Sequence, residues 1–414
     1  MKILILSDLF PPVSFGGAEN IAYLITKEYQ KRNYDVFVIT INNYLKKNEV
    51  KLTEYHSIPL LQIENSYNAK YIAYKSIYNK KVLNIIEKIL QKEKFDFVHI
   101  HNIHRYISYG IFKLLNKYSL KNIMTAHDAM SIDYGKFTQG INPNNLSDNP
   151  YINLKVNPFK TFLKYKKKYN PFRNLFIKNY FKYTNKIVTV SYALEELLNA
   201  NGINNTITIH NGINDEYKKF KISEIENFKN TFKINKTDKI LFFAGRISKE
   251  KGFFQVVKLM EKFKRNNKNN VKLFVAGKKL DIPNNLKENI ILSGWLDKKE
   301  MYLSYKISDV VLVPSIYPDP FPTVILEAMM MSKPVIATCF GGAKEAVING
   351  KTGFIVNPFN IDKFYEKTLE VLTNNDLYNY MAINARRQFL DKFTISRCVN
   401  QYIKLINDLE NNNV

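Results

Sequence analysis

The sequence predicts an α/β protein of two doubly wound domains facing each other across a cleft, and three observations predict it. Short apolar runs rich in Val, Ile and Phe alternate with longer amphipathic stretches along the chain. That is the pattern of buried parallel strands joined by crossover helices. The alternation starts again after a polar stretch at 214–239. The chain also has 414 residues, more than a single hydrophobic core ordinarily serves.

Strands are expected at 3–7, 36–40, 97–101, 123–126, 187–190 and 207–210, and, after the restart, at 240–244, 272–276, 290–293, 310–314 and 334–338. Amphipathic periodicity predicts helices at 18–32, 72–92, 253–266, 299–308 and 322–331. Residues 1–213 are assigned to the N-terminal domain and 214–390 to the C-terminal domain. The helical pattern within 391–414 is expected to cross back to the first domain. Open α/β sheets bind ligands beyond the carboxyl ends of their strands, so the chemistry is expected in the loops that leave those ends.

Composition narrows the partners. Lys and Arg number 61 against 37 Asp and Glu, a net charge of +24, which calls for an anionic partner. Two cysteines, Cys339 and Cys398, are too few for a disulfide framework or a Cys-rich zinc site and point to a reducing compartment. No apolar run is long enough to span a bilayer. The start, Met1 to Asp8, lacks the longer apolar region and cleavage site of a signal peptide and reads as a first strand. A cytoplasmic location follows, free or attached to a membrane surface. The sequence has no Asp-x-Asp for a metal-bound nucleotide diphosphate and no Walker loop for ATP hydrolysis.

One segment departs from the pattern. Residues 151–186, in a basic aromatic insertion at about 130–186, hold ten Lys or Arg and ten aromatics, and no Asp or Glu stands between Asp148 and Glu195. Phe162, Tyr165 and Tyr169 fall at helical spacing, as do Phe172, Phe176 and Tyr180, with a break at Asn170-Pro171. Such a segment suits an anionic membrane surface, and equally a solvated face over a core stripe. Nucleic acid is not expected, since no nucleic-acid-binding module accompanies the charge.

Four groups of residues could carry chemistry. Gly16 and Gly17 lie between the first strand and first helix, where a backbone can approach a ligand closely; a plain tight turn accounts for them as well. They do not form the GxGxxG of a nicotinamide site. His127 and Asp128 end a strand, where a His can orient a ligand or move a proton, or be satisfied within its own loop. Arg246 ends the strand at 240–244 and Lys251 opens the next helix, a fork and a point charge suited to a diphosphate. Pro322 starts a helix whose N-terminus suits phosphate oxygens. Asp319 lies just before it, and Glu327 sits among Ile325, Leu326, Ala328 and Met329, an apolar setting that calls for a partner such as a sugar hydroxyl or a cation.

In this order these pieces resemble glycosyltransferase family 4, nearly over the full length. The resemblance rests on Gly16-Gly17-Ala18-Glu19, His127-Asp128, Val190-Ser191, Asn211-Gly212-Ile213, Gly245-Arg246 with Lys251-Gly252, Pro314-Ser315, Asp319 to Ala328, Pro334-Val335 and Gly341-Gly342 with Glu345. Asp319 and Glu327 have the spacing of that family's acidic-x7-Glu motif, with Asp where Glu is usual; Pro322 stands where Gly is frequent. The resemblance implies the GT-B architecture of two Rossmann-like domains and a retaining, metal-independent transfer from a nucleotide-sugar to a glycan or lipid-linked acceptor, with no cofactor. It implies that Glu327 binds ribose hydroxyls and Asp319 the transferred sugar, and that Arg246 and Lys251 neutralise the diphosphate. It places backbone around Phe321, Pro322, Thr323 and Val324 against that group, Pro322 without an N–H to give. It also places Gly16 and Gly17 near donor phosphates or acceptor, and His127 near the reacting sugar. A GT-B nucleotide-sugar epimerase and a non-enzymatic polyanion-binding protein are the competing readings.

Overall fold

The computed structural model describes residues 1–245, 247–277 and 282–411. They form two compact units, one of residues 1–140, 154–214 and those from 395 onward, the other of 141–153 and 215–394.

The first unit is built on β1 (Lys2–Ser7), β2 (Asp35–Ile41), β3 (Val50–Tyr55), β4 (Ile58–Ile63), β5 (Phe97–Ile100), β6 (Asn122–Ala126), β7 (Lys186–Thr189) and β8 (Thr206–Thr208). Their order is β3-β4-β2-β1-β5-β6-β7-β8. All neighbours are parallel except β3 against β4. The central strand β1 places Ile5 beside Val38 on one side and His99 on the other. Ile3 to Leu6 are fully buried, because helices cover both faces of a parallel sheet; this is why the strand reads as an unbroken apolar run.

The second unit holds β9 (Lys239–Ala244), β10 (Val271–Ala276), β11 (Ile290–Gly294), β12 (Val310–Val313), β13 (Val335–Thr338) and β14 (Gly353–Val356). The order is β11-β10-β9-β12-β13-β14, parallel throughout. Its core interleaves Leu241, Leu273 and Leu312 with Val256, Leu259 and Phe263 of the Phe253–Arg265 helix. Strand order reverses between β1 and β5 in one unit and between β9 and β12 in the other, and such switch points open a crevice at the carboxyl ends.

Every strand expected from the sequence forms, with ends shifted by a few residues. Three others were not anticipated. β3 is an edge strand whose residues are mostly exposed, β4 carries Pro59, and β14 is short. The helix expected over 72–92 is instead a turn at Ile72–Lys75 and a helix at Lys80–Lys92. Tertiary bonds break it: the Ser76 carbonyl accepts from Tyr109 N–H at 2.8 Å, and the Asn79 amide donates to the Tyr106 carbonyl at 2.6 Å. Residues 141–153, expected with the first domain, belong to the second unit. There the Asn357 side chain donates to the Asn145 and Ser147 carbonyls, 2.7 Å each, and its N–H reaches Asp148.

The Ile395–Asn411 helix closes the first unit. Ile395 N–H donates to the Ile213 carbonyl at 2.8 Å, Arg32 reaches Ser396 and Asn400, and the buried Tyr402 hydroxyl lies 3.0 Å from Thr125 Oγ1. The basic segment folds as two eight-residue helices, Pro158–Tyr165 and Arg173–Tyr180. The second is anchored by Arg173, which is fully buried. Its Nε donates to Ser76 Oγ at 3.1 Å, and its guanidinium lies 5.8 Å from the ring centres of both Tyr109 and Tyr134. No helix among the described residues is long and apolar enough to cross a membrane.

Candidate active site

In the second unit the loops leaving β9 and β12 meet at the switch point. The Glu250 carbonyl accepts the Ile316 N–H at 2.8 Å. Gly252 caps the Phe253–Arg265 helix at φ +79, and a Cβ there would fall 1.9 Å from the Pro314 carbonyl oxygen. Only glycine allows this approach and this backbone conformation. Gly252→Ala is therefore expected to destabilise the fold by about 2 kcal/mol and to cut turnover well beyond that loss, since it parts Lys251 from the β12 loop. Thermal denaturation beside initial rates checks both effects.

The close approach sets Lys251 Nζ against Asp319 Oδ2. Asp319 is buried, and the same oxygen accepts the Ser315 hydroxyl at 3.1 Å. The Asp319 backbone is held from both sides, its N–H on the Tyr317 carbonyl at 2.7 Å and its carbonyl on the Gly342 N–H at 2.9 Å. Gly341, at φ +69, packs on that backbone so closely that a Cβ would lie 2.3 Å from the Asp319 oxygen. Lys251 and Asp319, assigned separately from the sequence, thus form one pair. An anion arriving beside it would share the ammonium, and a hydroxyl would find a fixed carboxylate. Arg246, expected beside Lys251, lies outside the described residues.

Three residues past Asp319, Pro322 occupies the N-cap of the Thr323–Met330 helix. The first N–H groups of a helix have no intrahelical acceptor, so Thr323 and Val324 present donors there. Glu327 lies in the next turn, and its Oε2 accepts the Tyr305 hydroxyl at 2.6 Å. Tyr305 is fully buried and meets Phe242 edge-on at 4.9 Å between ring centres, so the phenol cannot swing away. Burial raises the Glu327 pKa above its ordinary 4.5, and the Tyr305 O–H opposes the rise. If the ionised carboxylate binds a ligand hydroxyl, binding weakens on acidification at a higher pH than a free Glu would give. Tyr305→Phe removes the donor that favours ionisation, so the loss should move to still higher pH. Donor KM measured against pH for both proteins checks the sign; an unmoved profile contradicts it.

In the first unit Gly16 caps and Gly17 opens the Gly17–Lys31 helix, with Glu19 in its first turn. The Asp8 carboxylate, just past β1, accepts the N–H groups of Arg105, Tyr106 and Ile107 at 2.7–3.0 Å, clamping the loop after β5. That loop carries His101 and His104. His101 Nδ1 lies 3.0 Å from His127 Nε2, and the rings of His99, His101 and His127 stack in series. Burial pushes His127 down to about 4, against the pull of Asp128, and His99 down to about 3. His127 is therefore a neutral imidazole near pH 7, a hydrogen-bonding group and not a cation. Burial would raise Asp128, but His104, 3.0 Å away, the Met130 N–H and His127 together outweigh it and the carboxyl falls to about 2. The sequence reading found His127 and Asp128 but missed His99, His101 and His104, although His101 stands at the end of an expected strand. It also missed Tyr305, and it named Ser315 only as part of the resemblance, without a role. Among the described residues no group of three or more His, Cys, Asp or Glu is placed to hold a metal ion.

Two doubly wound parallel α/β units of this kind are the GT-B architecture. Residues 15–217 match the Glycosyltransferase Family 4 model and residues 224–388 the Glycosyl transferases group 1 model. An uncharacterised glycosyltransferase of Methanocaldococcus jannaschii is 25% identical over 418 residues, covering 99% of both chains. Another from the same organism is 28% identical over 224 residues, half of this chain and 56% of that one. Among solved structures, Anabaena HepE in complex with UDP-glucose aligns with a TM-score of 0.68 at 16% identity, covering 99% of this chain and 100% of that one. The chain belongs to glycosyltransferase family 4.

Proposed function

We propose that this glycosyltransferase moves a hexosyl group, with retention of configuration, from a nucleotide-sugar to a glycan or lipid-linked acceptor. It does so without a metal ion, in the cytoplasm, for a bacterial surface polysaccharide or glycolipid. The observation that carries this reading is the joining of Lys251 to Asp319 where the loops after β9 and β12 meet, with Glu327, in the helix that follows, held by Tyr305. The HepE complex with UDP-glucose supports a nucleotide-sugar donor for this architecture. Glu327 holds the ribose hydroxyls, and Asp319 holds hydroxyls of the sugar being moved.

As the sugar leaves, the bond from its anomeric carbon to the diphosphate breaks and negative charge grows on the phosphate. Lys251, with Arg246, and the Thr323 and Val324 N–H groups meet that charge with fixed dipoles and cations. The acceptor hydroxyl forms the new bond on the same face and gives its proton to the departing phosphate. The neutral imidazole of His127 serves as a hydrogen-bonding group for the sugar, and Gly16 and Gly17 let backbone approach donor or acceptor. The absence of an Asp-x-Asp pair from the sequence supports charge stabilisation by the chain itself.

The test is release of nucleoside diphosphate from purified protein across a panel of nucleotide-sugars, with and without lipid-linked and oligosaccharide acceptors. Release that requires an acceptor supports the proposal. Donor conversion without any acceptor makes the protein an epimerase. Salt-dependent nucleic-acid binding with no nucleotide-sugar affinity makes it a polyanion binder.

A further inference from the structure

The helices Pro158–Tyr165 and Arg173–Tyr180 display what a helix ordinarily hides. Phe159, Phe162 and Leu163 stand at i, i+3 and i+4 of the first, and Phe172, Leu175 and Phe176 at the same spacing along the second. That spacing makes one stripe per helix. All six side chains are between 40% and 68% exposed. The second helix does have an inward stripe, the buried Arg173 and Ile177, with Phe181 just beyond it. Its outward apolar stripe is therefore additional to the one that fixes it in the fold, and Arg173 holds it in that orientation.

The same segment carries exposed cations at Lys160, Lys164, Lys166, Lys167, Lys168, Lys178 and Lys182. The nearest acids in sequence are Asp148 and Glu195. Leu175 and Phe176 also line a cavity of about 680 Å³ with Phe181, Ile187 and Ile203, and Lys178 and Lys182 stand in its wall. This cavity opens near the amino ends of β7 and β8, whereas His127 follows the carboxyl end of β6.

We propose that this face docks the protein on an anionic phospholipid bilayer. The six apolar side chains enter the headgroup region, the lysines meet lipid phosphates, and the cavity beside Leu175 takes the end of an acyl chain. Exposed apolar stripes call for an apolar partner, and exposed lysines along a segment with no acid of its own select a negatively charged one. A second copy of this chain is disfavoured as the occupant, because it would bring the same lysines against themselves. The inference is independent of the transfer reaction.

The test is co-sedimentation of the full chain with vesicles of phosphatidylcholine alone and with roughly one-third phosphatidylglycerol. Binding to the anionic vesicles is expected to be at least about tenfold stronger and to weaken with salt. F172S/L175S/F176S should lose about tenfold of that binding, and K160Q/K164Q/K178Q/K182Q as much, each with wild-type circular dichroism and melting temperature. If the serine variant does not fold, the glutamine variant decides. Equal binding to neutral and anionic vesicles, or none to either, overturns the proposal. So does self-association of the wild type that the serine changes abolish.

Discussion

Glu327→Ala protein is expected to lose about a hundredfold in kcat/KM for the donor, most of it as a raised KM. A carboxylate that accepts two ribose hydroxyls contributes through charge-assisted hydrogen bonds, each about 1.5–3 kcal/mol. Those bonds exist before and after the sugar moves, so their loss appears as uniform binding and not as a slower chemical step. The structure adds a control. Tyr305 O–H, fully buried, donates to Glu327 at 2.6 Å, so alanine leaves that hydroxyl without a partner and lowers stability as well. Glu327→Gln keeps an acceptor for Tyr305 and separates the two effects: its melting temperature should recover while the donor KM stays high. Undiminished transfer by Glu327→Ala would remove the site assignment.

Lys251→Ala should act differently. Its ammonium is asked to meet charge that grows as the diphosphate departs, so its removal lowers kcat, by about 10²–10³-fold, with a smaller change in KM. The pairing with Asp319 complicates the single variant, since among the described residues alanine leaves this buried carboxylate with Ser315 as its side-chain partner. The double variant Lys251→Ala/Asp319→Asn is the remedy. If the two side chains work as one unit, its loss will be far less than the product of the single losses. Independent losses would mean that the observed pair is structural only.

What was legible in the sequence follows from what repeats locally. The strands of both sheets announce themselves because burial on both faces forces unbroken apolar runs, as Ile3 to Leu6 show. β3 and β4 lack that signal, because the edge strand β3 is mostly exposed and β4 carries a proline. The long helix over 72–92 fails for a different reason: its periodicity is sound, but backbone and Asn79 side-chain bonds to 106–110 break it. At the site, Asp319, Glu327 and Lys251 were legible as residues but not as pairs. Lys251 meets Asp319 across a sequence separation of 68, and Tyr305 meets Glu327 across 22. Nothing in a run of residues marks a tyrosine on an amphipathic helix as the partner of a distant carboxylate. The histidine series was hidden likewise, since His99, His101 and His127 come together only when β5 and β6 pair. Local pattern fixes elements, and pairing across the sheet fixes chemistry.

The most direct measurement is a crystal structure of the protein with the nucleoside diphosphate that best raises its melting temperature. The account predicts ribose hydroxyls on the Glu327 carboxylate, and phosphate oxygens between Lys251 Nζ and the N–H groups of Thr323 and Val324. A nucleotide bound elsewhere, with Glu327 still on Tyr305 and Lys251 still on Asp319, would contradict it.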